Sequence, residues 1–357
     1  MKFTCAASMA SSIGIAALGL GSMNAGGAES TPVYSVAAEI PGAGGSWDYA
    51  VIDEQLGRLY LAQGGVTALD LKTNKLTTAL IVGKVTHGLA VLGDGLVAVD
   101  DSADKTVKVF DGVSGKIAAT IPTAQDNPVN GNHALDAMVL EPKSGLVVAI
   151  NGDSGLLVLI DVKQAKVTGT VSIGGKPEYA AADGKGALYV NVNRSKKSEI
   201  VAVDIAARKV TAHFALKGCE EATGIAYDQA DNLLISVCGN GMAKFIHADT
   251  GLEAASIAVG RAADAVMFDS QRHRAFVPSA AGGKMSVIAV RSSSDIAVIQ
   301  TVATQRGTRL GAVDVNTGKV YLPAATFGPP VPPNPYPTSV SGTFKILVVA
   351  PSAPSHQ

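Results

Sequence analysis

Seven polar side chains recur at the same place in a repeated stretch of sequence, and most of them carry a charge. Each opens a short apolar run, and in six of the seven an acidic residue follows five positions later. These ring residues, as we call them, are Asp48, His87, Asp136, Glu178, Thr223, Asp264 and Arg309. Together they would bring four carboxylates, an imidazole, a guanidinium and a hydroxyl to one place. The pattern therefore predicts one shared polar site.

Four carboxylates in a narrow space repel one another, so a bound cation or added protons would stabilise them. The candidate metal ligands are Asp48, Asp136, Glu178 and Asp264. Oxygen ligands suit Ca²⁺ or Mg²⁺, and the imidazole of His87 leaves room for a transition metal. Alternatively, Arg309 and His87 hold a carboxylate or phosphate while the acids face hydroxyls or amines of the same ligand. A third interpretation is that the ring residues only solvate the site and pair internally, with Arg309 bridging Asp48 and Asp264.

The only tryptophan, Trp47, precedes the first ring residue. It either forms a stacking wall of the site or packs between neighbouring sheets. Familiar catalytic motifs are missing: the sequence has no G-x-S-x-G, H-E-x-x-H, C-x-x-C or phosphate-binding P-loop pattern, and its 6 histidines show no metal-ligand spacing. This argues against a catalytic triad, a local zinc motif or a nucleotide site, but not against a site assembled from several sheets.

A repeat of about 40 to 50 residues supplies the elements that must bring these side chains together. Its first copy, residues 48–82, contains four short apolar or alternating runs separated by turn residues, which is typical of a four-stranded antiparallel sheet. Seven copies follow one another. Because closure into a ring removes exposed sheet edges, the repeat predicts an all-β, seven-bladed β-propeller with four strands, a to d, in each blade. The ring residues then open the innermost strands, around one mouth of the central channel.

The last repeat contains only three strands, at residues 309–314, 319–322 and 344–349. A fourth strand is available at the other end of the chain, in residues 33–40. The sequence therefore predicts that an N-terminal strand completes the C-terminal blade and closes the ring. We expect residues 29–357 to form a single domain.

Two loops are expected at the same mouth. Residues 122–133 either add ligands to the site or form an ordinary polar turn; the polar side chains in question are Asp126, Asn127, Asn130, Asn132 and His133. The proline-rich residues 328–337 favour an extended conformation. They would act as a stiff flap, a segment for a partner to bind, or a rigid spacer.

Residues 1–28 resemble a signal peptide, with a charge at Lys2, an apolar stretch over residues 13–20 and small residues at 26–28. They predict export to the periplasm or the medium, and Cys5 would leave with them. No other stretch is apolar enough to span a membrane. The two remaining cysteines, Cys219 and Cys238, are predicted at the same end of neighbouring strands a and b of the fifth blade, so we expect a disulfide in an oxidising compartment.

Several phrases resemble the YVTN repeat of bacterial YncE-like β-propellers. They are GRLYL at 57–61, LYVNV at 188–192, GKVYL at 318–322, GKPE at 175–178, and the segments that begin at Cys219 and Cys238. The likeness runs from about residue 33 to 350 and implies an exported seven-bladed propeller, but no particular activity. Local departures are Pro278 and Pro323, where the repeat prefers Asn, and Ala222, where Pro is expected.

The sequence favours an exported binding module that holds a polar ligand or a cation at the channel mouth. Alternatives are a metal-dependent hydrolase, lactonase or lyase at the same mouth, and a scaffold that only binds other proteins. A scaffold needs an apolar outer face, and an aromatic content of 5% disfavours it. With 29 basic and 30 acidic residues, no nucleic-acid partner is expected. The partner is an unidentified small ligand or protein, and we expect a monomer.

Overall fold

The computed structural model describes residues 33–123, 135–194, 197–330 and 337–352. Within these ranges the chain forms strands and turns and no helix, so no helix there is long and apolar enough to cross a membrane. Seven four-stranded antiparallel sheets follow one another. The innermost strands of neighbouring sheets contact each other all the way around and back to the first. The protein is therefore a seven-bladed β-propeller, as the repeat predicts.

Strands run from the channel outward in each of the first six blades. Blades 1 to 3 contain β2 (Ala50–Asp53), β3 (Arg58–Ala62), β4 (Gly65–Asp70), β5 (Leu76–Val82); β6 (Leu89–Gly93), β7 (Leu96–Asp101), β8 (Thr106–Asp111), β9 (Ile117–Pro122); and β10 (Met138–Glu141), β11 (Leu146–Asn151), β12 (Leu156–Asp161), β13 (Lys166–Ser172). Blades 4 to 6 contain β14 (Lys176–Ala182), β15 (Ala187–Arg194), β16 (Lys197–Asp204), β17 (Lys209–Leu216); β18 (Ala222–Asp228), β19 (Leu233–Cys238), β20 (Met242–His247), β21 (Glu253–Ala258); and β22 (Met267–Asp269), β23 (Arg274–Ser279), β24 (Lys284–Ser292), β25 (Asp295–Ala303).

Blade 7 is made from both ends of the chain. It contains β26 (Ala312–Asp314), β27 (Lys319–Ala324), β30 (Lys345–Pro351) and β1 (Tyr34–Pro41). β1 pairs with β30 from Tyr34 opposite Pro351 to Pro41 opposite Lys345. This pairing, which we call the clasp, confirms the predicted closure.

The clasp also fixes blade 7 to blade 6. The Tyr34 side chain is buried and packs edge-on against Phe276, with ring centroids 5.1 Å apart. The Gln300 side chain accepts a hydrogen bond from the Tyr34 backbone N–H at 2.8 Å and donates one to its carbonyl at 2.7 Å. The first strand therefore holds two blades at once.

The hydrophobic core lies between blades, because each sheet is covered on both faces by its neighbours. The second strand of a blade shows this most clearly: every residue of β19 is buried. Continuous apolar runs such as LVVAI in β11 are therefore required, whereas the outer strands alternate exposed and half-buried residues. One core cluster joins Ala137 and Val148 of blade 3 to Leu188 and Val190 of blade 4.

The turn between the first two strands has the same design in several blades. In blade 1, Asp53 Oδ1 accepts hydrogen bonds from the backbone N–H groups of Gln55 and Leu56, at 2.9 and 3.0 Å. The residue just before the second strand has a left-handed conformation, with φ of +60° at Gly57 and +53° at Asn232. This position favours glycine or asparagine.

A disulfide joins Cys219 to Cys238, with their Cα atoms 5.4 Å apart, as predicted. The proline-rich segment begins and ends in a hairpin of β28 (Phe327–Pro330) and β29 (Pro337–Ser339), which packs near the mouth through a hydrogen bond from Ser339 Oγ to the Gly45 carbonyl at 3.1 Å. Residues 331–336, the predicted signal peptide at 1–28 and positions 124–133 of the polar loop lie outside the described residues.

Candidate functional site

A β-bulge at the start of the innermost strand positions the ring residue in most blades. In blade 1, Asp48 N donates to the Ala62 carbonyl at 2.9 Å, and Ala62 N donates to the Tyr49 carbonyl at 3.0 Å. Two residues of one strand thus face a single residue of its partner. Asp136 and the following residue face Ile150 in the same way, at 2.8 and 2.9 Å. Because a bulge re-aims the side chain it carries, it takes the ring residue out of the regular alternation of the strand.

Blades 4 and 5 carry the irregularity inside a longer strand. Their register shifts between Pro177 and Ala180, and between Ala222 and Ile225. In blades 1, 2, 3, 6 and 7, the regular strand instead begins two or three residues after the ring residue, so those strands start later than the sequence predicts. In blades 1 and 3 the bulge is the reason, since it interrupts the ladder at the ring position itself.

Two prolines account for the short innermost strands of blades 6 and 7. Pro278 pairs with Met285 and Pro323 with Ile346 on the side away from the channel. On the channel side, proline has no N–H to donate at the place where Ala62 donates in blade 1. Regular pairing therefore begins only at Met267 and Ala312, which explains why β22 and β26 have 3 residues each.

Three ion pairs bring charged side chains together at the mouth: Asp48 Oδ2 with His87 Nδ1 at 2.8 Å, Asp264 Oδ2 with Arg309 Nε at 3.0 Å, and Glu178 Oε1 with Lys176 Nζ at 2.8 Å. Arg309 thus pairs with Asp264, while Asp48 pairs with His87. Sequence reasoning missed Lys176. Its signal was its position two residues before Glu178, close enough in sequence for a long basic side chain to reach the carboxylate.

The Asp136 carboxylate has no hydrogen-bond donor among the described residues. One ligand atom each from Asp48, His87 and Asp136 lies within 4.8 Å of the other two. Metal–ligand bonds of about 2.0 to 2.6 Å fit a triangle of this size. Thr223 differs from the other ring residues, because its hydroxyl donates to the Ala263 carbonyl of the next blade at 3.1 Å.

The acids at the mouth are held in an environment short of positive charge. Burial, with a smaller contribution from the nearby Asp48 carboxylate, raises the pKa of Asp136 to about 7, and His87 acts in the opposite direction. Burial likewise raises the pKa of Asp264 to about 6, although Arg309 acts in the opposite direction. The hydrogen bond to Asp48 raises the pKa of His87 to about 9, so His87 is charged at neutral pH.

Asp100, in the second strand of blade 2, is a further buried acid that sequence reasoning missed. Its Oδ1 accepts hydrogen bonds from the backbone N–H groups of His87 and Gly88, both at 2.7 Å, and its Oδ2 accepts one from Ser102 Oγ at 2.7 Å. Burial raises its pKa to about 6 despite these bonds. Asp100 therefore shapes the bulge that carries His87 and adds negative charge beneath it.

Two tyrosines meet across the channel, directly below the charged mouth. Tyr49 of blade 1 and Tyr179 of blade 4 have ring centroids 4.9 Å apart. Burial raises the pKa of Tyr49 well above its usual value, and the carboxylates of Asp136, Asp48 and Asp264 raise it further, in that order. These tyrosines form the floor of a cup whose rim is made by the ring residues.

Cavities lie in the channel beside the tyrosine floor. One of about 340 Å³ is lined by strands of blades 1 to 4 and by Tyr179. Another, of about 180 Å³, is lined by both tyrosines and by Asp264. Trp47 lies to one side, with its ring 5.1 Å from Phe344 and 5.8 Å from Phe327. This matches the packing alternative for Trp47: it anchors the first blade to the loops of blade 7.

No family model matches the sequence, and no curated protein matches it. Among solved structures, the fold is similar to a chain of Kuenenia stuttgartiensis hydrazine synthase, with 13% identity and a TM-score of 0.66 over 80% of this chain and 93% of that chain. It is also similar to a chain of a mitotic checkpoint complex, with 12% identity and a TM-score of 0.71 over 95% of this chain and 98% of that one. Such low identity shows the propeller fold alone. Membership of the YVTN-repeat family stays a prediction.

Proposed function

We propose that the protein is an exported binding module that holds a positively charged ligand in the cup. The observation that carries this proposal is the convergence of Asp48, His87 and Asp136, with ligand atoms within 4.8 Å of one another, above the floor of Tyr49 and Tyr179. A concave pocket with a few convergent polar groups is the usual form of a small-ligand site.

The charge balance of the cup supports a cation. Among the described residues, five carboxylates surround it: Asp48, Asp100, Asp136, Glu178 and Asp264. The three basic side chains are those of Lys176, His87 and Arg309. Burial is the main cause of the raised pKa values, about 7 for Asp136 and about 6 for Asp264, and the neighbouring Asp48 carboxylate adds to both. A bound cation would lower the pKa of both acids and favour their ionised forms, which stabilises the complex.

Two kinds of ligand supply the required charge. A divalent metal ion would displace the proton between His87 Nδ1 and Asp48 into solvent, and would then bind that nitrogen together with one oxygen each from Asp48 and Asp136. An organic ammonium would instead lie between these carboxylates and an aromatic face of the tyrosine floor, as cation–π contacts require. Arg309, whose side chain is 51% exposed, is free to turn from Asp264 towards an anionic group of the same ligand.

Two features of the chain support export and a role outside the cytoplasm. Residues 1–28 have the pattern of a signal peptide, and the Cys219–Cys238 disulfide suits the periplasm or the medium.

Thermal unfolding of the chelator-treated protein tests the proposal. We expect Ca²⁺, Mg²⁺, Mn²⁺, Zn²⁺ or a small alkylammonium to raise Tm, because a ligand that binds only the native state stabilises it by about 2.7 kcal/mol at 100 times Kd. Chelator reverses the effect of a metal but not that of an ammonium, which separates the two sources. Asp136→Asn should weaken binding at least tenfold in either case.

Asp295→Asn is the matched control, since it makes the same charge change on an exposed outer strand where the side chain is 55% exposed. It should leave binding unchanged. An equal response of Asp136→Asn and the wild type would contradict the proposal, as would a Tm that no cation shifts.

A further inference from the structure

A second group of metal-ligating side chains lies on the opposite face of the propeller, between blades 5 and 6. Asp228 ends β18, Asp231 follows in the turn, and His273 precedes β23 in the equivalent turn of the next blade. One ligand atom from each of the three lies within 4.8 Å of the other two. The group is at the other end of the innermost strands from the cup and shares no residue with it.

Two atoms of this group are buried without a partner. The side chain of Asp228 belongs to a residue that is 1% exposed, and its Oδ1 accepts a hydrogen bond from Ala230 N at 3.0 Å. Its Oδ2, like the Nδ1 of His273, has no hydrogen-bond partner among the described residues. Buried polar atoms in folded proteins are nearly always bonded, so two such atoms in one small group indicate that something binds there.

Comparison with blade 1 shows which part of the group is special. Asp53 occupies the place of Asp228 and also has a buried Oδ2 without a partner. No group of metal ligands forms around it among the described residues. Blades 1 and 5 thus share the unpartnered oxygen, whereas Asp269 Oδ2 and Asp314 Oδ2 at the equivalent places of blades 6 and 7 accept hydrogen bonds from Arg272 and Thr317. His273 and Asp231 are what blades 5 and 6 add around Asp228.

The backbone of His273 is unusual as well. Its φ is +50°, at the position before the second strand where blade 1 has Gly57 at +60° and blade 5 has Asn232 at +53°. Histidine tolerates this conformation less well than glycine. The imidazole is therefore held at a position where the turn itself favours another residue.

We propose that Asp228, Asp231 and His273 bind a divalent transition-metal ion, for which Zn²⁺ is the probe. One imidazole nitrogen and two carboxylate oxygens form a ligand set that Zn²⁺ and its neighbours in the first transition row accept, whereas Ca²⁺ and Mg²⁺ prefer oxygen alone. In the cup, His87 is already paired with Asp48 at 2.8 Å. Here no ion pair joins the three side chains, and the ion would supply the missing partner of both buried atoms.

Calorimetric titration of the chelator-treated, full-length mature protein with ZnCl₂ tests the proposal. His273→Gly is the decisive variant, because glycine adopts the left-handed turn freely and the folded protein should unfold at the same or a higher Tm in chelator. We expect this variant to lose one equivalent of bound Zn²⁺, or to bind it at least tenfold more weakly. Asp228→Asn should do the same, and MgCl₂ should not replace ZnCl₂ at this site.

Two controls separate this site from other binding. Asp53→Asn makes the same change at the equivalent place in blade 1 and should leave the Zn²⁺ titration unchanged. Asp136→Asn removes a ligand of the cup and should leave the equivalent that depends on His273 intact, so that failure of one site does not hide the other. The proposal is overturned if His273→Gly binds Zn²⁺ as the wild type does, or if the wild type binds none.

Discussion

Among the ring carboxylates, Asp136 has the most strongly raised pKa, so its ionisation destabilises the folded protein most. Its titration should therefore change the free energy of unfolding measurably. Its pKa lies near 3.8 in an unfolded chain and is raised to about 7 in the fold. A raised carboxyl pKa means that the native state binds the proton more tightly than the unfolded state does. The stabilisation that comes from this proton is fully present below pH 4 and is lost as pH rises to about 7.

We therefore expect Asp136→Asn to be neutral at pH 4 and to stabilise the ligand-free protein at pH 8, by on the order of 2 kcal/mol. Urea-induced unfolding at both pH values, in the presence of chelator, measures the difference. The exposed control Asp295→Asn should show no such trend. A loss of stability in Asp136→Asn at pH 8 would mean that the ionised carboxylate is satisfied within the fold and has no need of a cation.

The sequence was informative about individual residues wherever the repeat aligned them. The seven ring residues come directly from that alignment, although Thr223 turns out to bond to the backbone of the next blade. Tyr49 and Tyr179 were not recognised, because they meet only when blades 1 and 4 lie on opposite sides of a closed channel. His273 looked isolated for a similar reason: its neighbours lie 42 and 45 positions earlier, at Asp231 and Asp228, in a different turn.

Single strands were predicted well in their order and less well in where they begin. The innermost strands start with an irregularity, and its register depends on which hydrogen bonds the second strand can donate. Ala62 donates at this place, and Pro278 cannot. The sequence showed the prolines as departures from the repeat. The irregularity at the start of the innermost strand depends on the hydrogen bonds between two paired strands, so neither strand predicts it alone.

The disulfide is an element-scale feature because it ties the first two strands of blade 5 together at the mouth. Both cysteines are buried, and 19 positions separate them in the sequence. We expect the double variant Cys219→Ser/Cys238→Ser to lose about 3 kcal/mol of unfolding free energy, because the unfolded chain regains the entropy of the open loop. Urea unfolding measures this loss.

Reduction offers an independent check. Dithiothreitol should lower the stability of the wild-type mature protein to that of the double serine variant, and should leave the variant itself unchanged. Two titratable thiols in the denatured, unreduced mature protein would show that the bridge does not form.

At the scale of the whole molecule, closure depends on the clasp. Deleting residues 29–40 removes most of β1 and leaves the edge of β30 without a partner, along with the buried Tyr34 that packs against blade 6. We expect the truncated protein to aggregate or to lose most of its cooperative unfolding transition, because exposed edges pair with other chains. Circular dichroism during heating and light scattering measure both effects.

A peptide with the sequence of residues 33–41 provides the control. Added in trans, it should bind the open edge and restore part of the lost Tm, whereas a scrambled peptide of the same composition should not. Unchanged melting of the truncated protein would show that the ring closes without its first strand.

The overall architecture was predictable because the number of repeats and of strands in each repeat implies a closed ring of blades. Seven repeats, the last of which lacks one strand, leave few arrangements that bury every sheet edge. The chemistry of the channel mouth was not predictable, since a ring of mixed charges suits several kinds of ligand and the low identity to solved propellers adds only the fold.

The clasp also determines the order in which the protein can mature. β1 is made early and its partner β30 more than three hundred positions later, with Tyr34 opposite Pro351. Contacts so distant in sequence form slowly. Until β30 has been made, a growing chain can form the sheets of six blades but not the closed ring, and its first strand stays unpaired. Proteases and chaperones therefore have most access to the chain just before β30 is made. The pairing of β1 with β30 ends this access in a single late step.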